Sequence, residues 1–142
     1  MRPVPDDRTQ VEVSWTHWDA LFLVAIVTDT RCNLDTLIYE SDARNRSYPT
    51  EQEASSTLGR LIASGLISVE VPYFKATDNG RRIVRRAAGP WWRGWWSGGT
   101  IEEVDRILNC LREYPLVEST WSFAAGELDE AVQRYVRRTS QR

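Results

Sequence analysis

The chain holds few of the side chains from which hydrolytic or metal sites are built. His17 is the sole histidine, and it stands between Trp15 and Trp18, where a structural role is the expected one. Cys32 and Cys110 are far apart and lack the paired spacing of zinc or redox motifs. No glycine-rich phosphate loop is present. We therefore expect a protein that is not an enzyme and that carries neither a metal nor another cofactor.

The residues best suited to specific recognition lie on a helix predicted between Glu51 and Ser64. Thr50, followed three residues later by Glu53, forms a capping box that satisfies backbone N–H groups at the helix start. On the face opposite the apolar stripe, an amide could pair with adenine and a guanidinium with guanine. That face carries Gln52, Ser56 and Arg60, with the small residues Gly59 and Ala63 permitting close approach.

Residues that lead into this helix have the chemistry to hold DNA phosphates. Cationic and hydroxyl side chains bind phosphate oxygens and so fix a protein on the duplex. The predicted set is Arg44, Arg46, Ser47, Tyr48 and Thr50, together with Lys75 on the return strand of a predicted hairpin. The alternative is an ordinary solvated face, because Glu51 and Glu53 stand at the same helix entry and repel phosphate.

A run of four arginines on the predicted fourth helix is the strongest local positive charge in the chain. Such a run could hold a DNA backbone or an acidic partner. It is also typical of a solvated helix face, paired here with the acidic residues of a later helix. The arginines are Arg81, Arg82, Arg85 and Arg86, and the acidic residues are Glu102, Glu103 and Asp105.

Four tryptophans follow Pro90 within a short joint, namely Trp91, Trp92, Trp95 and Trp96. If Pro90 starts a helical turn, these rings stack in two pairs one turn apart. Aromatic clusters of this kind fill cores and interfaces. The joint is thus interpreted as packing between the flanking parts of the chain, as a dimer interface, or as the wall of a pocket for an apolar effector.

The elements before the joint follow from caps and apolar periodicity. Ser14 or Thr16 caps a first helix, and Asn33 caps a second helix that is broken between Arg44 and Pro49. The first helix carries one apolar stripe, formed by Trp18, Leu21, Phe22, Ala25 and Ile26.

A hairpin and a fourth helix complete this part of the chain. Alternating apolar and polar residues predict strands over residues 67–71 and 74–77, and Gly65 ends the helix before them. Thr77 caps a helix that runs to about Ala88. The fold class is therefore mainly α with a small β-hairpin wing.

The order helix, helix, helix, hairpin, helix resembles winged helix-turn-helix regulators. Residues 58–67 look like the third helix and exit strand of those proteins. Residues 76–82 resemble the Leu-Thr-x-x-Gly-Arg segment in which the wing strand returns into the next helix. The resemblance covers residues 15–88, and the MarR and PadR groups are the nearest in kind. It implies a DNA-binding regulator whose C-terminal helices, as in PadR proteins, pair two subunits.

Two further helices are predicted after the joint. The first begins at a second capping box, Thr100 to Glu103, and the last runs from about Ala124 to Arg137. The domain organisation is a flexible arm (1–13), a winged helix domain (14–88), a tryptophan-rich joint (89–99), a two-helix extension for packing or dimerisation (100–138) and a tail (139–142).

Composition is compatible with a cytoplasmic protein. Hydrophobic residues make up 42% of the chain, and the net charge is −2. No apolar run approaches the roughly 18 residues needed to span a bilayer, and the first residues lack a signal-peptide core. DNA-binding proteins normally show a basic face, so here that face must come from the placement of residues, not from their excess.

These observations support two functions. The first is a homodimeric transcriptional regulator that binds double-stranded DNA, with two recognition helices about 34 Å apart, and it predicts that Arg60→Ala weakens binding. The alternative is a winged helix module that binds a protein partner and no DNA. Near-neutral charge favours the alternative, as do Glu70, Val71 and Pro72 in the wing, where basic residues would be usual.

Overall fold

The structure is a computed structural model, and it describes residues 14–89 and 100–140. This part of the chain is mainly helical and carries a two-stranded antiparallel hairpin, as predicted. The predicted arm and the tryptophans of the joint lie outside the described residues. In chain order the elements are α1 His17–Thr28, α2 Leu34–Asn45, α3 Glu51–Ala63, β1 Ile67–Glu70, β2 Tyr73–Ala76, α4 Asp78–Ala88, α5 Thr100–Leu111 and α6 Glu127–Ser140.

The first four helices begin at polar caps. The side chain of each cap residue, Thr16, Asn33 or Thr50, accepts a hydrogen bond from the backbone N–H three residues later. The side chain at that later position accepts a second hydrogen bond, from the backbone N–H of the cap residue. Thr77 caps α4 in the same way, without the returning bond. The predicted caps at Asn33, Thr50 and Thr77 are confirmed, and Thr16, not Ser14, begins α1. These starts depend on residues three apart in sequence, which is why local reasoning found them.

Helix α1 is the centre of the core. The predicted single apolar stripe is wrong, because every residue from Asp19 to Ile26 is buried. Helices α2, α3, α4 and α5 and strand β2 all pack against α1. A helix surrounded on all sides must be buried around its circumference, and only Asp19 among these eight residues is charged.

The hairpin is short, and each strand contributes one buried residue to the core, Ile67 from β1 and Phe74 from β2. Residues 67–70 of β1 pair with residues 73–76 of β2, with Val69 opposite Phe74. Each strand is therefore shifted or shortened by one residue relative to the prediction, since Val71 lies in the turn and Thr77 is a helix cap. The Phe74 N–H donates to the carbonyl oxygen of Cys32 at 2.8 Å, which ties β2 to the loop between α1 and α2.

Gly80 explains one of the sequence segments that suggested this layout. A Cβ atom added at Gly80 would lie 2.2 Å from the carbonyl oxygen of Leu66. That carbonyl accepts a hydrogen bond from the Thr77 N–H at 3.0 Å, so it cannot move away without breaking this hydrogen bond between the residue before β1 and the cap of α4. Only glycine permits this approach, which brings the start of α4 against the exit from α3.

The two C-terminal helices return to the same core. Helix α5 packs on α1 and α4, whereas α6 packs on α2. The stretch between them, residues 112–126, is called the connecting segment below. Buried apolar residues of this part are Val104, Ile107, Leu111, Phe123, Leu128 and Ala131, and all belong to the core that contains α1. Helix α6 also extends to Ser140, three residues beyond its predicted end.

Candidate interaction surfaces

Arg60 does not occupy the exposed position predicted for a base-reading residue. Its side chain is turned into the protein, and the residue is 8% exposed. Arg60 Nη2 lies 2.9 Å from Asp19 Oδ1, and Nε lies 3.2 Å from both carboxylate oxygens of Asp19. The predicted role of Arg60 in reading DNA is therefore corrected, because its donors are used by a buried carboxylate of α1.

Asp19 combines two structural tasks. Its Oδ2 accepts a hydrogen bond from the backbone N–H of Thr16 at 2.6 Å, which completes the cap of α1, and its other contacts hold Arg60. Burial raises the pKa of Asp19 above its ordinary value, and the hydrogen bond and charge of Arg60 oppose this shift. The ion pair joins α1 to α3 in the interior, where neither charge can be removed singly without leaving the other uncompensated.

The connecting segment packs against the C-terminal half of α3, whereas Gln52 and Ala63 of the predicted face stay exposed. A Cβ atom added at Gly59 would lie 3.3 Å from Cβ of Ser119 and 3.5 Å from Cβ of Trp121. The Val117 N–H donates to Ser64 Oγ at 2.9 Å, and Glu118 Oε1 lies 3.9 Å from Arg60 Nη1. Gly59 was expected to admit DNA closely, and the structure instead has side-chain atoms of Ser119 and Trp121 there.

Three of the residues predicted to contact phosphate make contacts inside the chain. Arg44 Nε lies 2.7 Å from Glu40 Oε1, and Arg44 Nη1 lies 3.1 Å from Glu103 Oε1, so Arg44 links α2 to α5. Tyr48 is half-buried, with its ring centroid 6.1 Å from that of Tyr135. Lys75 donates to the carbonyl oxygen of Thr30 at 3.2 Å.

The other predicted contacts lie together at the start of α3. Thr50 is occupied as a cap, Ser56 is half-exposed, and Arg46 carries the only cationic side chain of the group. Glu51 and Glu53 belong to the same first turn. The accessible remainder of the predicted DNA surface is thus small and mixed in charge. It consists of Arg46, Ser47, Thr50, Gln52 and Ser56.

The arginines of α4 are exposed, and three of them form ion pairs or hydrogen bonds with residues other than those predicted. Arg81 is paired with Asp78, and Arg82 donates to Asn79 Oδ1 at 2.7 Å. Arg86 Nη2 lies 2.9 Å from Oε1 of Glu113, in the connecting segment, and not against Glu102, Glu103 or Asp105. The positive charge of this helix is therefore partly balanced by nearby residues.

A cleft of about 610 Å³ lies between the hairpin, the start of α2 and helix α6. Its aromatic wall is formed by Phe74, Trp121 and Phe123, with ring centroids 6.4 Å apart for the first pair and 5.0 Å apart for the second. Val69, Val71 and Pro72 of the hairpin continue the apolar lining. The hairpin and the connecting segment thus create an apolar surface that neither element has alone.

Four charged residues also line the cleft. Asp35 Oδ1 accepts a hydrogen bond from Arg134 Nη2 at 3.1 Å. Glu127 and Glu130 of α6 add two carboxylates, of which Glu127 Oε1 accepts from the Ala124 N–H at 3.1 Å. The lining therefore contains three carboxylates and one guanidinium, which leaves an acidic excess beside the aromatic wall.

Sequence reasoning missed this cleft, although one signal was present. Trp121 and Phe123 alternate with polar residues, which is typical of an extended segment with one apolar face. Nothing in the local pattern identified Phe74 or α6 as the neighbours of that face. The predicted pocket or interface residues Trp91, Trp92, Trp95 and Trp96 lie outside the described residues.

Comparisons with known protein families, with characterised proteins and with solved structures found no match to this chain. Within residues 14–89 and 100–140, no helix has the length and apolar character needed to cross a bilayer. The same ranges contain no group of three or more His, Cys, Asp or Glu side chains arranged to hold a metal ion. The function must therefore be inferred from the surfaces themselves.

Proposed function

We propose that this chain is a winged helix module that binds a protein partner and does not bind DNA. The proposal takes the helix order and the hairpin as the winged helix layout. It assigns the exposed hairpin and the adjacent cleft, instead of the outer face of α3, as the interaction surface.

The observation that carries the proposal is the burial of Gly59 and Arg60 on the face of α3 that was predicted to read DNA. Entry of a helix into the major groove requires outward side chains that reach base edges. On α3 the central positions of that face are Gly59, against Ser119 and Trp121, and Arg60, bound to Asp19. Uncovering Gly59 means removing Trp121 from its edge-to-face contacts with Phe74 and with Phe123.

Fluorescence anisotropy with a labelled duplex of about 30 base pairs tests the proposal. Electrostatic binding to DNA weakens steeply with salt, so measurements near 20 mM and near 150 mM salt separate weak general attraction from real DNA binding. We expect no binding at the higher salt concentration. Binding there at micromolar protein would contradict the proposal.

Two matched variants identify the surface responsible if binding is seen. Arg46→Glu reverses the charge at the exposed entry to α3. Arg85→Glu reverses the charge of an exposed arginine of α4, so the two variants have the same net charge. Loss of binding in the first variant alone would assign DNA recognition to α3. Loss in the second alone would assign it to the basic helix, and either result would overturn the absence of DNA binding.

A DNA-binding regulator is the second candidate, favoured by the exposed group of Arg46, Ser47 and Gln52 at the start of α3. This function requires the connecting segment to leave the helix. In a Cys110→Ser background, a disulfide between Gly59→Cys and Ser119→Cys would hold the segment in place, since the Cβ separation of 3.3 Å is close to that of disulfides. DNA binding by the reduced form and not by the oxidised form would support this candidate.

A further inference from the structure

The cleft beside the hairpin has an apolar wall that extends into solvent. Val71 is 86% exposed and Val69 is 39% exposed, although both also line the cleft. Small-molecule sites bury most of their ligand's surface. The apolar lining continues outward to the hairpin turn. It is therefore suited to an occupant longer than a small molecule, which covers the exposed valines as well as the aromatic wall.

The charge of the cleft indicates which charged groups the occupant should carry beside its apolar groups. Arg134 is paired with Asp35, so the negative charge that remains in the cleft comes from Glu127 and Glu130. The Glu130 carboxylate accepts no hydrogen bond from any residue within 14–89 and 100–140, and Glu130 is exposed. Opposite charges across an interface favour encounter and discriminate against wrong partners.

We propose that the cleft binds a peptide segment of a partner protein in which a large apolar side chain stands close to a lysine or arginine. The apolar side chain packs on Trp121 and Phe123, and the cation lies against Glu130. The aromatic faces beside it add attraction for a cation. This inference deepens the proposed function and rests on it.

Selection of random twelve-residue peptides on phage against the full chain tests the inference. The expected enriched sequences carry an aromatic or aliphatic residue within three positions of a lysine or arginine. A selected peptide is then synthesised with a fluorescent label, and its dissociation constant is measured by anisotropy. Failure to enrich any sequence, or enrichment of acidic peptides, would overturn the inference.

Matched substitutions locate the binding on the protein. Glu130→Lys should weaken the selected peptide about fivefold to tenfold, because one attraction is replaced by a repulsion. Asp129→Lys makes the same charge change on an exposed neighbour that does not line the cleft, and it should alter binding less than about twofold. Equal effects of the two substitutions would show that the peptide binds elsewhere and would contradict the inference.

A second matched pair examines the apolar wall. Val71→Ser should weaken binding severalfold, whereas Val136→Ser, at an exposed valine of α6 outside the cleft, should not. Both positions are exposed, so both variants are expected to keep the wild-type unfolding midpoint. The DNA measurement separates the two ideas: a chain that selects no peptide and binds no DNA loses this cleft assignment, whereas one that binds DNA loses the proposed function.

Discussion

Asp19 and Arg60 are 41 residues apart in the chain, and they meet as a buried ion pair. The arginine reaches this position because α3 packs against α1. The preceding residue, Gly59, lies against Ser119 and Trp121 of the connecting segment. A charge that α1 could not otherwise hold in the core is thereby matched. The residue expected to recognise a ligand instead joins two helices.

Arg60→Ala is therefore predicted to act on stability. Removing one partner of a buried pair leaves the other charge uncompensated, so the free energy of unfolding should fall by about 3–5 kcal/mol. Arg85→Ala, at an exposed arginine, should change it by less than about 0.5 kcal/mol. Urea denaturation followed by circular dichroism measures both.

The pH dependence of the same variant gives a second readout. Burial already raises the pKa of Asp19, and loss of Arg60 should raise it further. A folded state that takes up the proton before the unfolded state gains stability as pH falls. The loss of unfolding free energy caused by Arg60→Ala should consequently be smaller at about pH 5 than at about pH 7. A deficit that is independent of pH would contradict the assignment of Asp19 as the uncompensated group.

At the scale of elements, α6 is held against α2 by polar groups as well as by its apolar face. Tyr135 Oη donates to Asp42 Oδ2 at 2.7 Å, and Tyr135 meets Tyr39 and Tyr48 edge to face. The hydrogen bond to Asp42, followed by burial, raises the pKa of Tyr135 to about 12. The contact thus depends on the protonated phenol.

Alkaline pH should weaken this docking. Below the ordinary tyrosine pKa of about 10 the contribution of Tyr135 is fully present, and it is lost as pH rises toward 12, since the unfolded state ionises first. Tyr135→Phe should lower the unfolding free energy at neutral pH by about 1 kcal/mol and flatten the alkaline decline.

Tyr39→Phe is the control for that experiment, because Tyr39 is 54% exposed and lies in the same aromatic group. It should keep the wild-type decline between about pH 10 and pH 12. Unfolding midpoints measured across this range compare the three proteins. An identical decline in wild type and Tyr135→Phe would refute the role given to the phenol.

For the whole molecule, the C-terminal third is part of the core that contains α1. Phe123, Leu128 and Ala131 are buried among residues that contact the first helices. Two subunits that paired through these residues would have to withdraw them from their own chain. The predicted homodimer stays a prediction.

Deleting residues 115–142 should therefore abolish cooperative unfolding. Each large apolar side chain removed from the core contributes about 1.5–3 kcal/mol, and their sum is comparable with the whole stability of a small domain. Deleting residues 139–142 alone should leave the unfolding midpoint near that of the full chain, because Thr139 and Ser140 are exposed. A truncated chain that unfolded cooperatively at the wild-type midpoint would show that residues 1–114 fold by themselves.

The sequence by itself determined the elements whose causes are local. Capping at Asn33, Thr50 and Thr77 and the stop at Gly65 depend on residues within one helical turn. The order of helices and hairpin follows from these signals together with apolar periodicity. That order, in turn, was enough to predict a mainly helical fold with a hairpin.

Only the tertiary structure decided which faces are free. The polar face of α3 reads as solvated in sequence, since nothing within a few residues of Gly59 or Arg60 indicates Asp19, Ser119 or Trp121. Those contacts join positions dozens of residues apart, and they form because one compact core must take up the apolar residues of α1, α5, α6 and the connecting segment together. The same packing leaves the hairpin exposed beside an aromatic, acidic cleft, which is why the surface proposed for binding differs from the one predicted.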